Sequence, residues 1–175
     1  MSEIWNPGYS KFTYFWEQWP FSQWSKASFY ANSFYKDINN AVSNPVDRFN
    51  CCEQYMMAEK ATVFGDHESF RLIMKTDSPR EHKKLGRNVK GFDKETWEAI
   101  AKDVVYHGNY NKFTQCEKSL QALRDTQGTL LVEASPYDMV WGIGLNAKDA
   151  EAGKAWKGTN WLGEVLTKLD RKSVV

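Results

Sequence analysis

The chain has 175 residues, with 23 basic and 22 acidic side chains and a net charge of +1. This length suits one domain with a sizeable core. The balanced charge gives no strong electrostatic reason to expect binding to nucleic acid or to a membrane surface. It is compatible with a nucleotide or a single modified base as ligand.

The cysteines and the apolar runs bear on the compartment. Three cysteines, two of them adjacent, are not the pattern of a disulfide framework, so a reducing environment is expected. The N-terminal segment lacks the basic start and apolar core of a signal peptide, and no run approaches the roughly 20 apolar residues of a membrane span. These patterns predict a cytoplasmic protein that does not bind a membrane.

The first part of the chain predicts short strands and then a helix. Residues 9–35 are rich in aromatic and serine side chains, which is typical of short strands and loops. From about Cys51 the apolar residues take helical spacing, with one stripe that runs from Cys52 to Val63. A helix near 68–75 is expected to follow.

The next predicted helix begins at Ser78. The Ser78 side chain can cap the helix, Pro79 fits the first turn, and Glu81 can complete a capping box. Gly86 is expected to end this helix, because glycine is common just past a helix C-terminus.

Two more helices are predicted in the middle of the chain. Asp93 can cap the first, which has helical apolar spacing from Trp97 onward. Thr114 and Glu117 form another predicted capping box, and Gly128 is expected to end that helix.

The last part of the chain predicts a strand over 129–134 and a helix over 160–171. The elements together predict a mainly helical α+β fold. We expect one compact domain over residues 1–175, with a small β-sheet formed by the N-terminal segments and the strand near 129–134.

Several kinds of chemistry find no support in the sequence. His67, His82 and His107 are far apart and lie among polar residues, so we expect solvated side chains and no metal site. Cys51 and Cys52 lack an evident basic partner in the sequence, which favours small core residues over nucleophiles. No phosphate-binding loop or nucleophile motif is present, and no cofactor is expected. Carboxylate chemistry remains.

Glu53 lies among apolar and aromatic residues, where an unpaired carboxylate is costly. No Lys or Arg lies one helical turn away, so an ordinary salt bridge along the helix does not explain it. Lys60 is on the same helix face, roughly 10 Å along the axis, and both side chains could reach one ligand. The alternative is that Glu53 simply interacts with the helix macrodipole.

Asp138 follows the predicted strand and also has apolar and aromatic neighbours. One interpretation is a catalytic acid on a loop, since loops on a rigid scaffold often carry function. The alternative is a turn aspartate that accepts hydrogen bonds from its own backbone.

Five segments of the chain follow one another in a recognisable order. They are Phe21-Ser22-Gln23-Trp24, Glu53-Gln54-Tyr55-Met56-Met57-Ala58-Glu59-Lys60, Gly86-Arg87 with Trp97, Asp138-Met139-Val140-Trp141-Gly142, and Gly158-Thr159-Asn160-Trp161-Leu162-Gly163. Over about residues 12 to 170 they resemble the NADAR superfamily, also called the YbiA-like N-glycosidases. The chain departs from the family pattern at Gln54, where the family has His, and at Gln23-Trp24, where it has Asn-Phe.

The resemblance implies an N-glycosidase that hydrolyses the C1′–N bond of a ribosyl-phosphate or ADP-ribosyl conjugate. The implied substrates are phosphoribosylamino-pyrimidines of early riboflavin synthesis, or ADP-ribosylated guanine in nucleic acid. Glu53 and Asp138 would share two tasks, which are to stabilise the ribosyl cation or direct water and to assist the leaving base. The alternative is a non-catalytic module that binds ADP-ribose or a similar nucleotide.

The resemblance also implies binding residues. These are Trp97 and Trp141 to stack on base or sugar, Lys60 and Arg87 to hold phosphate, Phe21 and Ser22 at the entrance, and Asn160 either to bond a ribose hydroxyl or to cap the last helix.

Overall fold

The computed structural model describes residues 3–172. Its helices and strands are β1 (Phe12–Phe15), β2 (Phe29–Ala31), α1 (Phe34–Ile38), β3 (Asp47–Phe49), α2 (Cys52–Val63), α3 (His67–Lys75), α4 (Pro79–Arg87), α5 (Lys94–Thr114), α6 (Glu117–Arg124), β4 (Leu130–Glu133), α7 (Ala147–Glu151) and α8 (Trp161–Lys172). The mainly helical α+β prediction is confirmed. Within this range, none of the helices has the length and apolar character needed to cross a membrane.

The described chain forms two compact units. One, the terminal unit, contains the chain up to Ser22 and from Lys118 onward, and the other, the central unit, is Gln23–Glu117.

The terminal unit is built on a two-stranded parallel sheet. β1 pairs with β4, with Phe12 opposite Leu130 and Phe15 opposite Glu133. This confirms the predicted pairing of an N-terminal segment with the strand near 130. The three apolar residues of β4 are fully buried, so both faces of the strand are covered. α8 packs against β4 and buries its apolar positions.

The central unit is arranged around α2. β2 and β3 form a separate antiparallel pair in this unit. α3, α4 and α5 pack against α2, and nine of the twelve α2 residues are buried. A helix covered on all sides encloses its polar residues too, which explains why Glu53, Gln54 and Glu59 are almost inaccessible to solvent.

Two of the predicted helix caps are confirmed. The Ser78 side chain accepts a hydrogen bond from the Glu81 backbone N–H at the start of α4. The Asp93 side chain does the same for Thr96 in α5. These caps satisfy backbone donors that the first helical turn leaves without partners.

Three predicted helix boundaries are wrong. Gly86 does not end α4, because the helix continues to Arg87 and Asn88 caps it. Thr114 does not cap α6, because it is the last residue of α5 and its hydroxyl donates to the Tyr110 carbonyl. The third is Gly128, which lies in the turn after α6 and does not end it, because the helix already ends at Arg124.

Candidate active site

Glu53 occupies the first turn of α2 and is 4% exposed. Its backbone N–H donates to the Gln23 carbonyl oxygen at 3.0 Å, so the segment before β2 holds the start of this helix. The position at the helix N-terminus also favours a negative charge, as the macrodipole alternative required.

Lys60 lies within electrostatic range of both Glu53 and Arg87. Burial lowers the pKa of Lys60, the Glu53 carboxylate raises it, and the Arg87 guanidinium lowers it. The Lys60 ammonium also lies 4.3 Å from the centre of the Phe92 ring. The central unit therefore brings one acid and two cations of the predicted site together.

The approach of α4 to α2 places Arg87 in this group. A Cβ built on Gly86 would lie only 1.9 Å from the Met57 sulfur and 2.9 Å from its Cγ. A larger residue at this position would have to displace the Met57 side chain from between the two helices. Gly86 therefore serves helix packing, and Arg87 follows it in the last turn of α4.

Gln54 has a structural role. Its Oε1 accepts from the Asn50 backbone N–H at 2.8 Å, and its Nε2 donates to the carbonyls of Ile73 at 3.2 Å and Thr76 at 3.4 Å. These contacts join the start of α2 to the end of α3. They need one acceptor and one donor, which a neutral His at this position also provides.

The structure reveals a polar group around Cys52, the residue before Glu53, that the sequence did not predict. Lys112 of α5 is 1% exposed and forms a side-chain hydrogen bond with the Cys52 thiol. Burial lowers the pKa of Lys112, and burial raises that of Cys52. The Cys52 thiol also lies 3.5 Å from Oδ1 of Asn109. In the sequence, the signal that places Asn109 and Lys112 together is their i, i+3 spacing, which puts both on one face of α5.

The expectation that all three histidines are solvated is partly wrong. His82 is fully buried, with Nε2 2.6 Å from the Thr76 carbonyl and Nδ1 3.7 Å from the Cys51 sulfur. Because a carbonyl only accepts, Nε2 carries the proton and Nδ1 accepts from the thiol. Cys51 thus has a basic partner in the fold. Burial nevertheless raises its pKa to about 12, so the thiol stays protonated.

His107 is half-buried, with Nε2 3.2 Å from Oδ1 of Asn32, and His67 alone of the three histidines is exposed. No group of three or more His, Cys, Asp or Glu side chains that could hold a metal ion occurs within residues 3–172.

Asp138 has the hydrogen bonds of a turn aspartate. Its Oδ1 accepts from the backbone N–H groups of Val140 at 2.9 Å and Trp141 at 2.8 Å. Its apolar neighbours do not enclose it, because Tyr137 is 83% exposed and Met139 48%. The turn alternative therefore describes the observed contacts.

Two of the recognised motifs form one backbone-bonded assembly in the terminal unit. The N–H groups of Thr159 to Leu162 donate to carbonyls of Met139 to Gly142. A Cβ on Gly158 would lie 2.3 Å from the Gly142 carbonyl oxygen, which explains the need for glycine. The loop after β4 thus satisfies the first donors of α8.

Asn160 serves this assembly through its side chain. It is 1% exposed, its Nδ2 donates to the Leu131 carbonyl, and its Oδ1 accepts from the Glu133 N–H, both at 3.0 Å. Its φ of +55° is a conformation that asparagine adopts more readily than most residues. These bonds to β4 are neither the ribose contact nor the helix cap that we expected.

The remaining predicted residues are aromatic or lie near aromatic rings. Trp97 is 8% exposed in the first turn of α5. Trp141 is half-buried and meets Trp161 edge-on with ring centres 5.5 Å apart. The Phe21 ring lies 5.5 Å from Phe15, and the next residue, Ser22, is 8% exposed. Glu53 belongs to the central unit, and Asp138 belongs to the terminal unit.

A cavity of about 330 Å³ in the central unit is separate from these residues. Lys26 and Arg48 are among its lining residues, and none of the predicted site residues lines it.

Comparison with known proteins agrees with the recognised motifs. A family model described as the NADAR domain matches residues 14–172, a stretch with parts of both units. N-glycosidase R617 of Acanthamoeba polyphaga mimivirus is 39% identical over 153 residues, which are 85% of this chain and 84% of that protein. Protein irg-1 of Caenorhabditis elegans is 41% identical over 126 residues, which are 70% of this chain but only 59% of that protein.

Among solved structures, the NMR structure of the E. coli protein YbiA matches with a TM-score of 0.70 at 20% identity. The match covers 95% of this chain and 86% of the YbiA chain. At this identity the likeness supports the fold.

Proposed function

Because the chain belongs to the NADAR domain family, we propose that its N-glycosidase activity is directed at the C1′–N bond of a ribosyl-phosphate or ADP-ribosyl conjugate. The candidates are phosphoribosylamino-pyrimidines and ADP-ribosylated guanine. The observation that supports this most is Glu53, a buried carboxylate at a helix N-terminus with the Lys60 ammonium in electrostatic range. Arg87 in turn lies in electrostatic range of Lys60.

The reaction needs a carboxylate of this kind. As the C1′–N bond breaks, the base takes the bonding electrons and positive charge builds on the ribose. A carboxylate held in a site with little water can stabilise that charge or accept a proton from the attacking water. We propose that Glu53 does this, held in place by its backbone bond to Gln23.

Lys60 and Arg87 suit a phosphate group. Arg87 is exposed in the last turn of α4 and can bind two phosphate oxygens through its planar fork. Lys60 is half-buried, and burial lowers its pKa, so a bound phosphate would favour its charged form. We propose that the pair holds the phosphate of the substrate while Glu53 acts at C1′.

Asp138 is the second proposed acid, with Trp141 beside it to stack on base or sugar. Its two backbone bonds keep the loop in one conformation, so its carboxyl group would not need to reorganise during the reaction.

A product assay tests the proposed function. The wild-type protein and Glu53→Gln are incubated with a phosphoribosylamino-pyrimidine, NAD, ADP-ribose and ADP-ribosylated guanosine, and released ribose phosphate or ADP-ribose is measured. We expect release from at least one conjugate by the wild type. The turnover of Glu53→Gln should be lower by about 100-fold or more. The substitution removes the charge of the carboxylate and keeps the size of the side chain, so the loss reports on the charge.

Equal melting temperatures of the two proteins serve as the control for folding. Wild-type turnover in a folded Glu53→Gln variant would reject the role of Glu53. Binding of a conjugate without release would instead favour the alternative, a nucleotide-binding module.

A further inference from the structure

The cavity of about 330 Å³ in the central unit has a volume in the range of small-molecule sites, roughly 300–1,000 Å³. None of the residues of the proposed active site lines it. Its lining combines two cationic side chains and one carboxylate with neutral polar side chains. These are Lys26, Arg48, Asp77, Ser28 and Asn50. Their charges and positions indicate the kind of ligand that fits.

The antiparallel pairing of β2 with β3 brings the two cationic residues together. The backbone contact continues past the strands, because the Ala27 N–H donates to the Asn50 carbonyl at 3.1 Å. The segment that contains Lys26 therefore runs beside the segment that contains Arg48. Nη2 of Arg48 also donates to the Ser28 hydroxyl oxygen at 2.7 Å, which restricts the position of the guanidinium group.

Neither cation is neutralised by a carboxylate of the protein. Within residues 3–172, Lys26 and Arg48 form no ion pair, and both side chains are exposed. The bond to Ser28 uses one of the five N–H donors of the Arg48 guanidinium. Two unpaired positive charges that line one cavity favour an anion with several charged oxygens, and the planar arginine fork suits those of a phosphate group.

The N-terminal ends of two helices add a favourable potential. Pro79, the first residue of the nine-residue helix α4, lines the cavity. Cys51, the N-cap residue of α2, lines it too. The N-terminal end of a helix carries a partial positive charge, which stabilises a nearby anion. The helix ends therefore act in the same direction as the two side-chain cations.

Asp77 limits the choice of anion. Its Oδ1 accepts from Nδ2 of Asn50 at 2.7 Å, which holds the carboxylate at the cavity wall. A carboxylate repels an anion close to it and accepts hydrogen bonds from hydroxyl groups. A ligand that suits the whole lining has a phosphate group at the cations and hydroxyl groups at Asp77. Sugar phosphates have this combination.

We propose that the cavity is a binding site for a sugar phosphate, with the phosphate group at Lys26 and Arg48 and the sugar hydroxyl groups at Asp77. The site is separate from the proposed active site, where Lys60 and Arg87 are the proposed phosphate-binding residues. The assignment does not depend on the N-glycosidase activity, because it concerns binding without turnover.

Titration of the full chain with ribose 5-phosphate tests this assignment. Backbone amide shifts of the isotope-labelled protein are followed by NMR, with inorganic phosphate and ribose as the comparison ligands. We expect saturable shifts at Ala27, Ser28 and Asn50 with ribose 5-phosphate, in both the wild type and Arg87→Gln. Inorganic phosphate should bind about tenfold more weakly, because it lacks the hydroxyl groups. Ribose should cause no saturable shift at these residues.

Substitution of each cation should weaken the binding. Arg48→Gln and Lys26→Gln should each raise the dissociation constant for ribose 5-phosphate by about tenfold, because a charge-assisted hydrogen bond is lost. Arg71→Gln is the matched control. It removes an exposed positive charge from α3 that is not part of the cavity lining, and it should leave the dissociation constant unchanged. Melting temperatures check the folding of each variant, and Lys26→Gln provides the same test if Arg48→Gln unfolds.

Four outcomes would overturn the assignment. They are no binding of ribose 5-phosphate, shifts confined to the surroundings of Lys60 and Arg87, an equal loss of affinity in Arg71→Gln and the cavity variants, and equal affinity for inorganic phosphate and ribose 5-phosphate. Binding in the cavity without hydrolysis in the product assay would reject the proposed function but keep this site.

Discussion

Asp138 is a residue whose structural and chemical roles can be separated by substitution. Its Oδ1 accepts two backbone hydrogen bonds, which an asparagine Oδ1 could also accept. The charge, in contrast, is lost in asparagine. A turn role and a catalytic role therefore predict different results for the same change.

We expect Asp138→Asn to keep the wild-type melting temperature and to lose about 100-fold of the turnover in the product assay, as for removal of an acid or base. Asp138→Ala should have a lower melting temperature and a lower turnover, because it removes the charge and also the acceptor of the two turn hydrogen bonds. Full activity in Asp138→Asn would leave Asp138 with the turn role only.

Gln54 and Asn160 show how the fold uses residues of a recognised motif. Both lie in segments that resemble the family, yet their amide atoms bond backbone groups of α3 and β4. A motif identifies such residues but does not say whether a residue contacts a substrate or stabilises the fold. Their burial and hydrogen-bond partners separate the two roles.

At the scale of elements, the crossing of α2 and α4 connects packing to the site. Gly86 lies against Met57, which is one helical turn after Glu53 on α2. The position of Arg87 therefore depends on how closely the two helices approach.

We expect Gly86→Ala to lower the free energy of unfolding by about 1–3 kcal/mol, because the added methyl group meets the Met57 side chain. Turnover should fall mainly through a higher Michaelis constant for a phosphate-bearing substrate, since Arg87 is displaced. Urea unfolding and the product assay measure the two effects.

Lys84→Ala, an exposed change on the same helix, is the matched control and should change neither quantity. The double variant Gly86→Ala with Met57→Ala should regain part of the affinity, because the smaller side chain relieves the contact. An unchanged Michaelis constant in Gly86→Ala would contradict the proposal that Arg87 binds the phosphate group.

At the scale of the whole molecule, one buried acid makes stability depend on pH. Asp170 of α8 is 5% exposed, and its Oδ1 has no hydrogen-bond partner in the described part of the chain. Burial raises its pKa from 3.8 to about 6, against the opposing effect of Arg124. The folded protein therefore holds this proton more tightly than the unfolded chain.

Because the native state binds more protons between about pH 4 and pH 6, stability from this group is present at low pH and falls as the pH rises through about 6. Asp170→Asn removes the cost of the buried charge. We expect this variant to have a higher free energy of unfolding than the wild type at pH 7.5, and the difference to vanish near pH 4.

Urea unfolding at the two pH values measures this difference. The exposed change Asp103→Asn is the control and should show no such pH dependence. A gain in stability that is equal at both pH values would assign the effect to packing.

The sequence by itself determined the longer helices, the strand near 130 and the family. Helical spacing predicted α2, and the caps Ser78 and Asp93 predicted the starts of α4 and α5, because these signals act within one turn of chain. The ordered motifs indicated the family and led to the proposed role of Glu53. These features depend on neighbours in sequence, which a single chain displays directly.

Only the tertiary structure decided the features that join distant segments. It placed Arg87 near Lys60 through the contact at Gly86, and Lys112 against Cys52. It also buried His82, bonded Asn160 to β4 and brought Arg48 against Ser28. Burial and hydrogen-bond partners arise from segments far apart in the chain, so spacing within one segment contains no record of them.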